Sequence, residues 1–143
     1  MTQLSPFHSY PSLLLIWHGW DVVTDAVGFT AWERAWQRSN GRVGVLRPER
    51  LGRADTTFVA VKEAGRIVAG AIFNQSTDAV GIFNFFVTAG SPLLHWQGCV
   101  EVAGALFPGT LPVSYSHGPP LRIALATGFK AIGPLRVWVR DNA

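Results

Sequence analysis

Residues 58–87 read FVAVKEAGRIVAGAIFNQSTDAVGIFNFFV, and this stretch decides the fold. Phe58-Val59-Ala60-Val61 and Arg66 to Phe73 are rich in β-branched, aromatic and small apolar residues. Such composition suits strands. Between them, Glu63-Ala64-Gly65 is a tight hairpin signal. A second turn, Asn74 to Asp78, leads into Ala79 to Val87. The spacing predicts a three-stranded meander. Its strands are apolar on both parities, so both faces of the sheet need cover, and helices are expected to supply it.

On the C-terminal side, Ser91-Pro92 starts a helix, with Ser as cap and Pro in the first turn. Leu93, Trp96, Val100, Ala103 and Phe107 keep a 3.6-residue period, and Pro108-Gly109 ends it. Pro112 to Tyr115 reads as a short strand. Gly118-Pro119-Pro120 opens a second helix, with Leu121, Ile123, Ala124 and Leu125, ended by Gly128. Phe129 to Ile132 and Leu135 to Val139 read as two closing strands around Gly133-Pro134.

On the N-terminal side, Ser12 to Trp17 reads as a first strand and Asp21 to Gly28 as a connection. Thr30 and Glu33 have capping-box spacing. Phe29, Trp32 and Trp36 then follow helical spacing up to Asn40-Gly41, and residues 42–56 read as a loop. The order is strand, helix, loop, three strands, helix, strand, helix, two strands. This is an α+β pattern, a mixed, mostly antiparallel sheet with helices on both faces.

At 143 residues, with 48% hydrophobic and 15% charged residues, the chain is expected to form one domain with an ample core. Residues 1–56 would be an N-terminal strand, helix and loop, and 57–143 the core. No apolar run reaches the roughly 18–20 residues that span a bilayer, so no membrane role and a cytoplasmic location are expected. Cys99 is the single cysteine and lies in an apolar helical pattern, which suits a buried, inert thiol. His8, His18, His95 and His117 are scattered, so no metal site is expected. Four arginines, Arg42, Arg47, Arg50 and Arg53, fall in one short stretch with Glu49, which matches the whole net charge of +3. They make a local patch that could meet an anion or face solvent. No nucleic-acid-binding motif accompanies it, so a nucleic-acid partner is not expected.

The order of elements from Phe58 to Arg140 resembles the core of the GNAT (GCN5-related N-acetyltransferase) acyltransferases, and Ala126-Thr127-Gly128-Phe129 matches that family's Gly-Phe signature. The resemblance implies a GNAT-like fold and a cleft between the strands equivalent to Ile82–Val87 and Pro112–Tyr115. The pantetheine arm of acetyl-CoA would pair there with Asn84, Phe85, Phe86 and Val87. Its pyrophosphate would sit at Gly90 and Ser91, on the N-terminus of the next helix, where free N–H groups and the helix dipole attract anions. The family loop reads Gln/Arg-x-x-Gly-x-Gly/Ala. Here it is Val87-Thr88-Ala89-Gly90-Ser91-Pro92-Leu93, with one glycine and no Arg or Lys. His95 is the nearest potential cation.

The family's general-acid Tyr, four residues before the Gly of Gly-Phe, is Ala124 here. The Asn that often opens that helix aligns roughly with His117, and the family's Glu base falls at Asn84. The implied candidates are therefore Tyr115, to protonate a leaving thiolate, and His117, to deprotonate an amine. The alternative is that Tyr115 packs its ring while Ser116 and His117 satisfy a turn. Asn84 could donate to a ligand carbonyl or stitch a strand bulge. Two functions follow. One is N-acyl transfer from acetyl-CoA to a small-molecule or peptide amine. The other is a non-catalytic ligand-binding module, or one that forms a homodimer.

Overall fold

A computed structural model describes residues 19–40, 55–116 and 118–134. In chain order these form β1 (Trp20–Val22), α1 (Ala26–Asn40), β2 (Thr56–Glu63), β3 (Arg66–Gln75), β4 (Ala79–Val87), α2 (Pro92–Leu106), β5 (Leu111–Val113) and α3 (Gly118–Ala126). The strands make one sheet in the order β1-β2-β3-β4-β5. The first four are antiparallel, and β5 lies parallel to β4 after the crossover through α2. The expected strand at Ser12–Trp17, the arginine loop and the last strand at Leu135–Val139 lie outside the described residues.

The meander forms as its sequence predicts. Glu63 pairs with Arg66 across a two-residue turn in which Ala64 and Gly65 both have positive φ, 51° and 76°. That is the backbone of a primed hairpin turn, which matches the twist of the flanking strands. Two bulges interrupt the ladders. Val61 faces Ala69 while Lys62 faces Ile67, so Val68 is the extra residue in β3. Gly70 faces Phe86 while Ile72 faces Phe83, so β4 carries one residue more than β3 there.

Both faces are covered. Under α1 lies an aromatic cluster in which Phe29, Trp32 and Trp36 meet Phe58, Ile72 and Phe86. The Trp32 ring stands edge-on to Phe58 at 5.0 Å and to Phe86 at 5.2 Å. Its indole Nε1 donates to the Val59 carbonyl at 3.0 Å, so the buried N–H is satisfied. Gly70 makes room for this packing: a Cβ there would come within 2.5 Å of Phe86 and 2.7 Å of Trp32. On the other face, α2 and α3 bring Trp96, Cys99, Val102, Ala103 and Ala124 onto Val59, Val61, Phe73, Val80 and Ile82. Fully burying one such large side chain contributes about 1.5–3 kcal/mol. The small buried residues Gly98, Cys99, Ala103 and Gly104 let α2 approach the sheet closely.

Three local expectations are corrected. Trp20–Val22 is a strand, although it falls partly in the segment read as a connection. It pairs with Val59–Val61 and buries Trp20. Helix α1 starts four residues before Thr30. Asp25 caps it by accepting from Gly28 N at 2.7 Å, and Thr30 instead bonds back to the Ala26 carbonyl inside the helix. Phe129–Ile132 is not a strand. The Gly-Phe pair closes α3: Gly128 has φ +98°, Phe129 N bonds to Ala124 O at 3.1 Å and Gly128 N to Leu125 O at 3.3 Å. This is the Schellman pattern of helix ends. Thr127 accepts from the Trp96 indole at 3.0 Å and donates to Ala124 O at 2.9 Å, tying the end of α3 to α2.

Candidate functional site

The site is built where β4 and β5 part. Three pairs hold them together, Ala79–Leu111, Val80–Pro112 and Gly81–Val113. Strand β5 ends at Val113, while β4 runs on for six residues, Ile82 to Val87, bonded only to β3. The sequence explains the stop. Pro112 has no N–H to give to a neighbouring strand. Ser114 then turns its side chain into the ladder's place, its Oγ donating to the Ile82 carbonyl at 3.0 Å. Ser116 Oγ lies 3.4 Å from Ser114 Oγ. Past this point no described strand pairs with this edge of β4.

Asn84 sits in that open half at the β4 bulge, with φ +52° and an exposed side chain. The left-handed backbone is one that Asn tolerates better than most residues. Phe85, Phe86 and Val87 carry their side chains into the two cores. Phe85 meets Trp96 at 5.1 Å and Phe86 meets Trp32. Their contribution to a ligand would therefore be main-chain groups.

Beyond β4 the loop turns sharply at Gly90, φ +90°. Ser91 caps α2 by accepting from Leu94 N at 3.2 Å, with Pro92 in the first turn. Thr88 N and Ala89 N are taken by the Val68 carbonyl. Among the described residues, the amides of Gly90, Ser91 and Leu93 have no acceptor in the chain. These groups and the α2 dipole suit an anion. The His95 ring braces the loop: its Nε2 donates to the Ala89 carbonyl at 3.0 Å, which fixes the proton on that nitrogen. A Cβ on Gly90 would lie 2.7 Å from His95 Nε2, so the loop needs glycine there.

Tyr115 lies just past β5, on the other side of the gap. Its ring stacks on Phe83 at 6.2 Å and 27°, and it is 66% exposed. Phe83 in turn folds over Gly81, where a Cβ would come within 2.3 Å of its ring. His117, proposed beside Tyr115, lies outside the described residues. Ala124 is buried in the core under α3. The site residues missed in the sequence are Phe83 and Ser114. The available signals were a glycine two residues before an aromatic in a strand, and a serine directly after a proline-bearing strand end.

Other expected or conceivable sites look different. Burial pushes the Cys99 thiol well above its ordinary range, so it is protonated and shielded. Among the described residues no group of His, Cys, Asp and Glu could hold a metal ion, and no helix is long and apolar enough to cross a membrane. An open depression of about 410 Å³, lined by Ala26, Val27, Thr30, Ala31 and Arg34, lies on α1, away from the β4–β5 gap.

No protein-family model matches the sequence, and no curated protein matches it. Solved structures do match. ElaA of Escherichia coli superposes with a TM-score of 0.65 at 13% identity, covering 80% of this chain and 89% of ElaA. AAC(6')-Iy, solved with the bisubstrate analog CoA-S-monomethyl-acetylneamine, gives 0.65 at 12% identity, covering 85% of this chain and 98% of its own. A predicted acetyltransferase of Clostridium acetobutylicum, solved with acetyl-CoA, gives 0.58 at 11% identity, covering 86% of this chain and 94% of its own. These likenesses, at TM-scores of 0.58 to 0.65, show that the chain has the GNAT acyltransferase fold.

Proposed function

We propose that the chain is an N-acetyltransferase that moves the acetyl group of acetyl-CoA, or a related acyl thioester, to an amine. The observation that carries this reading is the early end of β5, which leaves β4 from Phe83 to Val87 without a strand partner on that edge. A free strand edge binds an extended, amide-bearing chain by adding it to the sheet. The pantetheine arm has that chemistry.

The residues present fit the cosubstrate through main-chain groups. Main-chain groups of Asn84, Phe85, Phe86 and Val87 would pair with the arm, and the Asn84 amide is exposed beside it. The amides of Gly90, Ser91 and Leu93 would receive the pyrophosphate. The loop supplies little charge, so the grip rests on N–H groups and the helix dipole. When bound, the thioester supplies an activated acyl carbon. Its C–S bond breaks, a C–N bond forms, and the amine's proton passes to the departing sulfur. Tyr115 stands at the mouth of the gap as the candidate acid. His117 is the candidate base, and water can relay the proton because positioning supplies much of such catalysis.

Calorimetric titration with acetyl-CoA tests this directly. Saturable binding at one site per chain is expected. No heat at millimolar ligand overturns the proposal.

A second reading has its own support: the loop lacks Arg and Lys, and Ala124 stands where the family has its acid. In that reading the scaffold has lost acetyl-CoA and serves as a binding or homodimeric module. Light scattering over a range of concentrations separates the two, because a strict monomer that binds acetyl-CoA fits only the first.

A further inference from the structure

We infer that the acceptor is a primary amine carried on a flat aromatic group, and that Phe83 and Tyr115 form the wall on which this group stacks. The inference rests on the acyltransferase reading of the same gap and names its substrate class.

Position comes first. Phe83 lies on β4 two residues past the last pair with β5, and Tyr115 lies two residues past Val113. Phe83 on β4 and Tyr115 just past β5 therefore meet where the two strands part. They are stacked at 6.2 Å and 27°. Phe83 is held from below, since it lies over Gly81 and packs against the aromatic cluster under α1. Among the described residues Tyr115 makes its ring contact with Phe83, and it keeps two-thirds of its surface in solvent. An anchored ring carrying a largely exposed one offers a flat aromatic surface, where a further ring gains from offset or edge contacts.

Charge narrows the choice. Residues 79–89 and 107–116 contain no Asp, Glu, Lys or Arg. Among the described residues, the polar side chains beside the point of parting include Asn84, Ser114 and Ser116, all uncharged. A polyamine needs several carboxylates to offset the loss of its hydration, and these segments supply none. A monoamine brings one charge and loses it on becoming the nucleophile. Its ammonium form can meanwhile rest against a Tyr face, as cations do on aromatic rings.

The test uses the intact chain and three probes: phenethylamine, hexylamine of similar apolar size, and spermidine. Binding is followed by ligand-observed NMR, first without acetyl-CoA. Phenethylamine should bind about fivefold tighter than hexylamine, the scale that one ring–ring contact gives. Spermidine should bind most weakly. Tyr115→Leu keeps an apolar side chain but removes the ring, and should abolish the preference. Tyr115→Phe should keep phenethylamine affinity within about twofold, because the ring and not the hydroxyl carries it. Circular dichroism of each variant checks that the exposed position leaves the fold intact. Equal affinities for phenethylamine and hexylamine, or spermidine as the best ligand, overturn the inference. Failure to bind acetyl-CoA sinks the acyltransferase reading alone, because the amine preference is read without it.

Discussion

Ala79–Gly81 and Ile82–Val87 belong to one strand but live in different surroundings. The first segment is bonded on both sides, to β3 and to β5. The second has β3 as its only described strand partner, apart from the Ser114 hydroxyl on the Ile82 carbonyl. Both bury apolar side chains, so hydrophobicity does not distinguish them. Two local decisions do: β5 stops at Val113, with Ser114 covering the next carbonyl, and a left-handed Asn84 inserts an extra residue into β4. An exposed strand edge is normally a liability that proteins cover or blunt. Under the proposed function this edge is where the extended cosubstrate would pair.

The sharpest way to break the contrast is to damage the core at the point of parting. Ile82 is fully buried on the α2 face. Ile82→Ala should cost about 2–5 kcal/mol of stability, read as a lower urea midpoint at unchanged slope. Next in size, Asn84→Val puts a β-branched residue into a left-handed backbone and should cost about 1–2 kcal/mol, whereas Asn84→Gly should stay within a few tenths. A Val variant as stable as the parent would mean that the bulge can relax into regular strand, and the two halves would then differ less than described. Ser114→Ala removes the hydroxyl that covers the Ile82 carbonyl and should cost about 1 kcal/mol. The smallest effect should come from sharpening the open half. Ala89→Arg restores a cation beside the free loop amides and should tighten acetyl-CoA binding about two- to fivefold at low salt, fading as salt rises. No gain there would move the pyrophosphate away from Gly90 and Ser91.

Much of this architecture was readable in the residues. The meander announced itself through apolar runs and a Glu63-Ala64-Gly65 turn, both local signals. Ser91-Pro92 fixed the start of α2 by capping chemistry alone. Thr30 misled because capping-box spacing competes with a nearby alternative, and Asp25 makes the shorter route to an orphan N–H. Phe129–Ile132 misled because β propensity says nothing about whether a neighbouring strand is present, and Gly128-Phe129 does its work as a helix end. The site was legible in part. Asn84 and Tyr115 could be singled out as chemistry-bearing residues near a strand end. Phe83 could not, since an aromatic in a β run looks like core until the backbone shows which ring lies over Gly81.

The hydrogen bond from Trp96 to Thr127 has a mechanical consequence. It fastens the last turn of α3 to the second turn of α2, on the only described crossover between parallel strands. The helix whose first turn offers free amides and the helix whose end carries Gly128-Phe129 are thus joined like two spars bolted at one point. A ligand that tugs on one tip must shift the pair together, and loosening that bolt would let each tip answer separately.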